Sequence, residues 1–359
     1  MIIQVNRSSL LSACQLALQV VPSRTPMPIY QNFRVEAQND RITVQATDLE
    51  IEVSYYVDGV VVDESGVAIW PAHKLVAILR ECGDEFVSID ADDRRVKIHT
   101  MSGDFEMPGY DPTGFAAFRH TEGDGQPVEA SSLLNAINRT AYAAAKDEGK
   151  YAMRGVLFSL DGKGSKVVAT DGKRLGVADL DVAGEGKVSA VVPIKAVKLL
   201  ASIAGEASEV LVGISTQTAT FKTPMAIVHT RLVEGNFPPY STVIPKKHES
   251  VAHLDCAAFL HAVRQAAIMA DEESKRVTIE FSKGRATMDA QGASSGKSKV
   301  TMPCDYEGDD VKISFDPVYL TEYLRGCTDG ERVDLLLNGS SKSVVFRGKN
   351  YLYLVVPLV

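Results

Sequence analysis

The 359-residue sequence predicts an α+β chain built from three similar domains. Three observations predict it. A strand-to-helix segment recurs at a spacing close to one domain length. A second strand-to-helix segment recurs in the same phase. Between them the chain reads as short alternating strands punctuated by Gly, Asp, Asn and Ser, the pattern of antiparallel sheet rather than βαβ units.

The first segment occupies residues 5–13, 128–136 and 254–262, so its starts at Val5, Val128 and Leu254 lie 123 and 126 residues apart. Each copy reads as a strand end, a polar turn and a helix opening on two large apolar residues: Leu10-Leu11, Leu133-Leu134 and Phe259-Leu260. The second segment is an apolar strand followed by helices over 72–80, 194–201 and 317–325. Pro71 and Pro193 stand just before the first turn in two copies, and Asp316 stands as the cap in the third. A third echo is a strand broken by Thr-Asp, at Thr47-Asp48 and Thr170-Asp171; the last third keeps only 286–290. Further strands are expected at 86–89, 96–100, 156–160, 210–214, 219–222, 277–281, 333–337 and 344–347. Polar, turn-rich linkers at 121–127 and 245–250 divide the chain into domains over 1–121, 127–246 and 250–359.

Composition excludes several classes. Apolar residues make up 45% and charged residues 23%, which suits a folded chain with sizeable cores and rules out disorder as the main state. No apolar run is long enough for a membrane span of about 18 residues. The start, Met1 to Leu11, lacks the basic-then-apolar order of a secretory leader. Cys14, Cys82, Cys256, Cys304 and Cys327 are odd in number and far apart, without a CxxC pair. That pattern speaks against a disulfide framework or zinc site and for a reducing, cytoplasmic setting. A net charge of −8 excludes a protein coated all over with Lys and Arg, but not one that gathers positive charge on a single face.

Enzyme signatures are missing. Gly162-Lys163-Gly164-Ser165 opens no helix and reads as a hairpin turn, not a phosphate loop. There is no GxSxG elbow and no HExxH. Asp48 and Asp171 are the best acid candidates, and a metal-dependent enzyme using both is one alternative. The other reading of the same residues is that Thr and Asp tie the backbone of a bend. A structural repeat protein without a nucleic-acid role is a second alternative.

Charge is segregated by element. The predicted helices carry Lys74, Arg80, Arg139, Lys146, Lys150, Lys195, Lys198, Arg264 and Arg325, against Asp147, Glu148 and Glu322. Basic helices in an acidic chain suggest a polyanion partner, although ordinary solvated helix faces explain the same counts. No base-reading motif is present, so such a partner is held by its phosphates.

Several stretches together resemble the bacterial DNA polymerase III beta subunit family, the sliding clamps. They are Pro28-Ile29-Tyr30-Gln31-Asn32, the run from Ala46 to Glu52, Arg154-Gly155-Val156-Leu157-Phe158, the run from Ala169 to Leu175, the run from Leu232 to Pro245, and Tyr353-Leu354-Val355-Val356-Pro357-Leu358. The resemblance covers essentially the whole chain. It implies three DNA-clamp domains per chain and two chains closing head to tail into a ring, with helices inside and antiparallel sheets outside. It implies a processivity factor with no catalytic residue, metal or cofactor, which encircles double-stranded DNA without sequence preference. Its expected partners are a second copy of itself, the replicative polymerase catalytic subunit, a clamp loader and other proteins carrying a clamp-binding motif; no membrane is involved.

The resemblance also assigns residues. DNA contact falls to Arg24, in a Pro-rich loop, to Lys146, Lys150 and Tyr151 at the end of the second Leu-Leu helix, and to Lys74, Arg80, Arg139, Lys195, Lys198, Arg264 and Arg325. The dimer interface falls to Phe105 and Met107 of one chain and Ile268 and Met269 of the other; alternation along the strand puts Phe105 and Met107 on one face. A partner-peptide pocket falls to Met153, Thr170, Gly172, Lys173, Arg174, Leu175, Pro238, Thr242 and Val243 with Tyr319, Ser341, Ser343, Leu354, Val355, Val356, Pro357 and Leu358. Leu175, Val243, Leu354 and Val356 are expected to receive apolar side chains of the peptide, and Arg174 either to touch it or to brace the loop against Asp171. The sequence departs from the family pattern at Lys173, at Thr242 and at the end Val356-Pro357-Leu358-Val359.

Overall fold

A computed structural model describes residues 1–116, 118, 125–146, 151–162, 164–182, 187–271 and 275–358, with the side chain of Tyr151 not described. Six α-helices appear among them, two per repeat: α1 Arg7–Leu18, α2 Ala72–Glu81, α3 Ala130–Thr140, α4 Ile194–Ala204, α5 Cys256–Ala267 and α6 Pro317–Leu324. The expected polar turn before the first helix of each repeat is absent. Strand passes straight into helix through one capping residue: Asn6 Oδ1 accepts from the N–H groups of Ser8 and Ser9, and Asp255 Oδ1 accepts from Ala258 N–H at 2.8 Å. Asp316 caps α6 as expected, accepting from Val318 N–H at 2.8 Å.

The second helix of each repeat is amphipathic. α2 buries Ala72, Leu75, Val76 and Leu79, the three-and-four spacing of one helix face, and leaves Lys74 and Arg80 exposed. α4 buries Val197, Leu200 and Ile203 and exposes Lys198. α3 is shorter than the sequence suggests. Thr140 adopts φ −128°, and its hydroxyl donates back to the Ala136 carbonyl at 2.7 Å, so the helix gives way to a 3-10 turn at Ala141–Ala143. Lys146 is therefore beyond the helix, not at its end. Lys150 lies outside the described residues, as do Asp147, Glu148, Lys163, Val359 and most of the first linker. The linkers are also tighter than expected: Gln126 and Pro127 already belong to strand Gln126–Glu129, and Ser250 opens strand Ser250–Asp255.

The chain divides into two compact units that do not follow the three repeats. The first unit comprises Met1–Ser131 and Lys195–Leu232. Its larger sheet has eight strands in the order Gln126–Glu129, Glu209–Ile214, Thr218–Lys222, Ala226–Arg231, Ile51–Asp58, Arg41–Thr47, Asn32–Gln38 and Gly66–Pro71. Middle-third strand Ala226–Arg231 runs antiparallel to first-third strand Ile51–Asp58, with Val228 opposite Val53. The smaller sheet has five strands and ends on Asp104–Pro108 as an edge.

The second unit comprises Ser132–Ile194 and Val233–Val359. Its nine-stranded sheet has the same construction. Middle-third strand Arg174–Asp179 pairs with the C-terminal strand Tyr351–Val355, and Leu175 stands opposite Leu354. Its four-stranded sheet ends on Gly296–Pro303 as an edge. Each sheet of the middle repeat is thus completed by a strand far away in sequence, Val228 pairing with Val53 and Leu175 with Leu354, which removes an exposed edge from each partner.

Candidate functional site

The Thr-Asp bends are built alike in both units. In the second, Thr170 Oγ1 accepts from Gly172 N–H and donates to the Arg174 carbonyl at 2.6 Å, while Asp171 Oδ1 accepts from Lys173 and Arg174 N–H. Gly172 sits at φ 89°, a conformation that costs an L-residue and suits glycine. In the first unit Thr47 Oγ1 accepts from Leu49 N–H, and Asp48 Oδ1 accepts from Glu50 and Ile51 N–H; Leu49 holds φ 76° without being glycine. Asp48 Oδ2 also takes Lys195 Nζ at 2.5 Å. Both carboxylates are consumed by their own bends, so the enzyme reading of Asp48 and Asp171 falls away and the architectural one stands.

Arg174 fixes the second bend. Its guanidinium is 3% exposed, donates to Asp171 at 3.0 Å, to Glu322 and to the Tyr142 carbonyl at 2.7 Å, and lies over the Tyr319 ring at 4.6 Å. Burial opposes its charge, but the Glu322 hydrogen bond and the surrounding carboxylates raise its pKa further. Of its two expected roles, bracing is the one the geometry contains. Thr170 is likewise buried, with its hydroxyl taken.

Beside this bend lies an apolar surface. Leu175 and Leu354 belong to a buried cluster with Leu157, Val168, Val177, Val191, Leu336 and Val345. Those two leucines and Val355 are core residues, at 2%, 3% and 0% exposure, because paired strands turn them inward; they do not themselves line an open pocket. Val243 and Val356 are exposed. Partly buried residues packed against the cluster include Val233, Phe237, Tyr240, Ile244 and Leu352. Phe237 and Tyr240 meet edge to face with centroids 6.4 Å apart. The sequence assignment missed these two rings, although Phe237-Pro238-Pro239-Tyr240 carried the signal: aromatics held by prolines in a polar stretch.

The remaining pocket candidates differ in burial and bonding. Val356 N–H donates to the Lys173 carbonyl at 2.9 Å, and Leu358 N–H to the Ser314 carbonyl at 2.8 Å, which docks the chain end on both sides. Pro357 is buried, Leu358 and Pro238 are half-buried, and Thr242 is exposed with its hydroxyl bonded to the Pro239 carbonyl. Tyr319 is half-buried; Ser341 is exposed and Ser343 half-buried in the loop before Val344–Arg347; Met153 ends a 3-10 turn.

The basic residues separate into two kinds. Arg24, Lys74, Arg80, Lys198, Arg264 and Arg325 are exposed and make no ion pair among the described residues. Lys74 lines a cleft of about 220 Å³ with Ser23, next to Arg24. Lys146 is exposed and 3.8 Å from Glu322. Arg139 and Lys195 are different. Arg139 is 8% exposed, pairs with Glu331 at 2.9 Å and covers the Tyr351 ring at 4.2 Å. Lys195 is half-buried on Asp48 and the Val20 carbonyl. Both are structural cations, and the expectation that Arg139 meets DNA is corrected by its burial.

At the expected chain–chain contact, Phe105 is 41% exposed on edge strand Asp104–Pro108, but Met107 is buried in its own domain core. Ile268, the C-cap of α5, is 71% exposed, and Met269 is half-buried.

Family models for the DNA polymerase III beta subunit match the chain in succession: the N-terminal domain over residues 1–118, the central domain over 127–239 and the C-terminal domain over 241–355. The chain is 26% identical to the beta sliding clamp of Chlamydia muridarum over 365 aligned residues, covering 99% of this chain and 98% of that one. It is 29% identical to the beta sliding clamp of Caulobacter vibrioides over 334 residues, covering 89% and 88%. Its fold matches the sliding clamp of Caulobacter crescentus with a TM-score of 0.90 at 26% identity, over 100% of this chain and 99% of that one. It matches the Pseudomonas aeruginosa clamp bound to griselimycin with a TM-score of 0.92 at 24% identity, over 100% and 99%. With three successive clamp domains, antiparallel sheets that continue from one repeat into the next, and both candidate acids tied up in bends, the chain belongs to the DNA polymerase III beta subunit family, the sliding clamps that serve as non-catalytic processivity factors of the polymerase.

Proposed function

We propose that two copies of this chain, each with domains over 1–121, 127–246 and 250–359, close head to tail around duplex DNA and hold the replicative polymerase on it. One observation carries the DNA part. In a chain of net charge −8, exposed cations that make no ion pair among the described residues stand on α2, α4 and α5 and at the end of α6: Lys74, Arg80, Lys198, Arg264 and Arg325. Cations spread over helix faces, with no base-reading motif, suit weak contact with phosphates, which permits sliding.

Closure is supported by two sheet edges. Asp104–Pro108 carries Asp104 and Glu106, and Gly296–Pro303 carries Lys297 and Lys299, so the free edge of one unit is complementary in charge to that of the other on a second copy. Phe105, Ile268 and Met269 supply apolar surface, with Met107 supporting Phe105 from the core. The apolar surface bounded by Phe237, Tyr240, Val243 and Val356 is the docking site for a short peptide of the polymerase or a loader. A tethered polymerase that releases the primer end stays at high local concentration and rebinds. Retention on DNA tests the reading: the loaded protein should remain on nicked circular DNA at high salt and run off after a single linearising cut. Equal loss from both forms rejects encirclement.

A further inference from the structure

In the second unit, α5 packs on one face of the four-stranded sheet. Met288 and Ala290 are buried on that side, and Ser298 Oγ donates to the Ala266 carbonyl at 2.8 Å. Strand alternation sends Asp289, Gln291, Lys297 and Lys299 to the other face. There, with Arg276 and Thr278, they border a cavity of about 520 Å³, a size within the small-molecule range. Strand register arranges them in two rows. Thr278 stands opposite Asp289, and Asp289 opposite Lys299. Gln291 stands opposite Lys297, and the same register continued by two residues puts Arg276 on its other side. One row therefore reads Arg276, Gln291, Lys297, with two cations flanking a neutral amide and no acid between them. Their backbones lie two strand spacings apart, about 10 Å. Arg276, Gln291, Lys297 and Lys299 are exposed and Asp289 is half-buried. Lys297, Lys299 and Asp289 make no ion pair among the described residues.

We propose that this cavity binds a small free polyphosphate, with a pyrophosphate group as the unit recognised. Three cations face one acid, so the cavity favours an anion. The long side chains of Arg276 and Lys297 can converge from both sides on an anion above Gln291, whose amide N–H₂ is a donor. Two phosphoryl groups let Arg276 and Lys297 each hold one, which a single phosphate does not. Lys299 adds charge from the second row, and Asp289 subtracts from it. That acid also selects against a nucleic-acid backbone, whose phosphates continue past the Arg276 row and over Asp289. The assignment concerns one face of a single chain. It does not rest on the edge-to-edge contact proposed above, although Lys297 and Lys299 border that edge as well.

The test is calorimetric titration of the full chain with sodium pyrophosphate at low ionic strength, read per chain, with sedimentation run alongside so that the dimer reading can fail separately. The expected result is saturable binding of one pyrophosphate per chain. Arg276→Gln and Lys297→Gln should each weaken it about tenfold, the loss of a charge-assisted contact. Asp289→Asn should tighten it, because the acid opposes the anion. Lys283→Gln removes an exposed cation outside this cavity and should leave the affinity unchanged. Inorganic phosphate should bind more weakly than pyrophosphate, and a duplex oligonucleotide should not displace it. No saturable binding overturns the proposal, as does equal weakening by Lys283→Gln, which would mean non-specific attraction. Weaker binding by Asp289→Asn, equal affinity for inorganic phosphate, or displacement by the oligonucleotide also overturns it.

Discussion

Arg139 and Arg174 are the two cations whose roles depend most on their surroundings. Both are nearly buried and both hold a carboxylate from the last repeat: Glu331 for Arg139, Glu322 for Arg174. Removing either guanidinium leaves a buried or half-buried acid unpaired, so Arg139→Ala and Arg174→Ala should each cost about 3 kcal/mol in urea unfolding. A lysine at Arg174 recovers only part, because one ammonium does not replace a fork reaching Asp171, Glu322 and the Tyr142 carbonyl. Glu331 adds a pH signature. Burial raises its pKa, but the Arg139 hydrogen bond and the Thr328 N–H outweigh burial, and the net shift is downward. A depressed carboxylate contributes stability that is present above its unfolded value and lost as pH falls through the folded one. The wild-type chain should therefore lose stability from about pH 4.5 downward more steeply than Glu331→Gln, measured by urea midpoints across a pH series.

At the scale of elements, the C-terminal strand separates structure from docking. Tyr351–Val355 bridges Arg174–Asp179 and Val344–Arg347 in the nine-stranded sheet, so removing it splits that sheet. Residues 356–359 follow the strand, with Val356 exposed and bonded through its N–H to the Lys173 carbonyl. Truncation after Val355 should lower affinity for a polymerase-derived peptide at least tenfold, about 1.4 kcal/mol, in a polarisation titration. The same variant should dimerise normally; unchanged peptide affinity would place the docking site elsewhere. The edge strands make a second prediction. Reversing Asp104 and Glu106 to lysine should give monomers by sedimentation at micromolar concentration. Reversing Lys297 and Lys299 to glutamate in the same chain should restore the dimer. Failure of that rescue would remove these charges from the contact.

For the whole molecule, the relevant quantity is where positive charge stays free within a net charge of −8. Replacing Lys198, Arg264 or Arg325 by alanine should each reduce the salt slope of DNA retention by about one unit. Arg139→Ala should leave the slope unchanged, since its charge is spent on Glu331. Measuring loss of circular DNA at four salt concentrations distinguishes the two classes. Equal slopes for all four variants would mean that the exposed helix cations do not meet the phosphates.

The sequence alone determined the threefold repeat, the six helices and the antiparallel class, because helix caps, apolar periodicity and turn residues are local properties. Asp316 before α6, the spacing of Leu75, Val76 and Leu79, and the Thr-Asp bends are all legible without coordinates. Tertiary structure decided which residues those elements bring together. That Ala226–Arg231 completes a first-third sheet, and Tyr351–Val355 a middle-third one, depends on edge pairing between strands far apart in sequence. The same distance effect buries Arg139 and Arg174 among carboxylates more than 140 positions away, where composition counts them as surface charge. It turns Leu175 and Leu354 into core and packs Phe237 and Tyr240 against the cluster they belong to. Periodicity reports which face of an element is apolar; only the pairing of elements decides what covers that face.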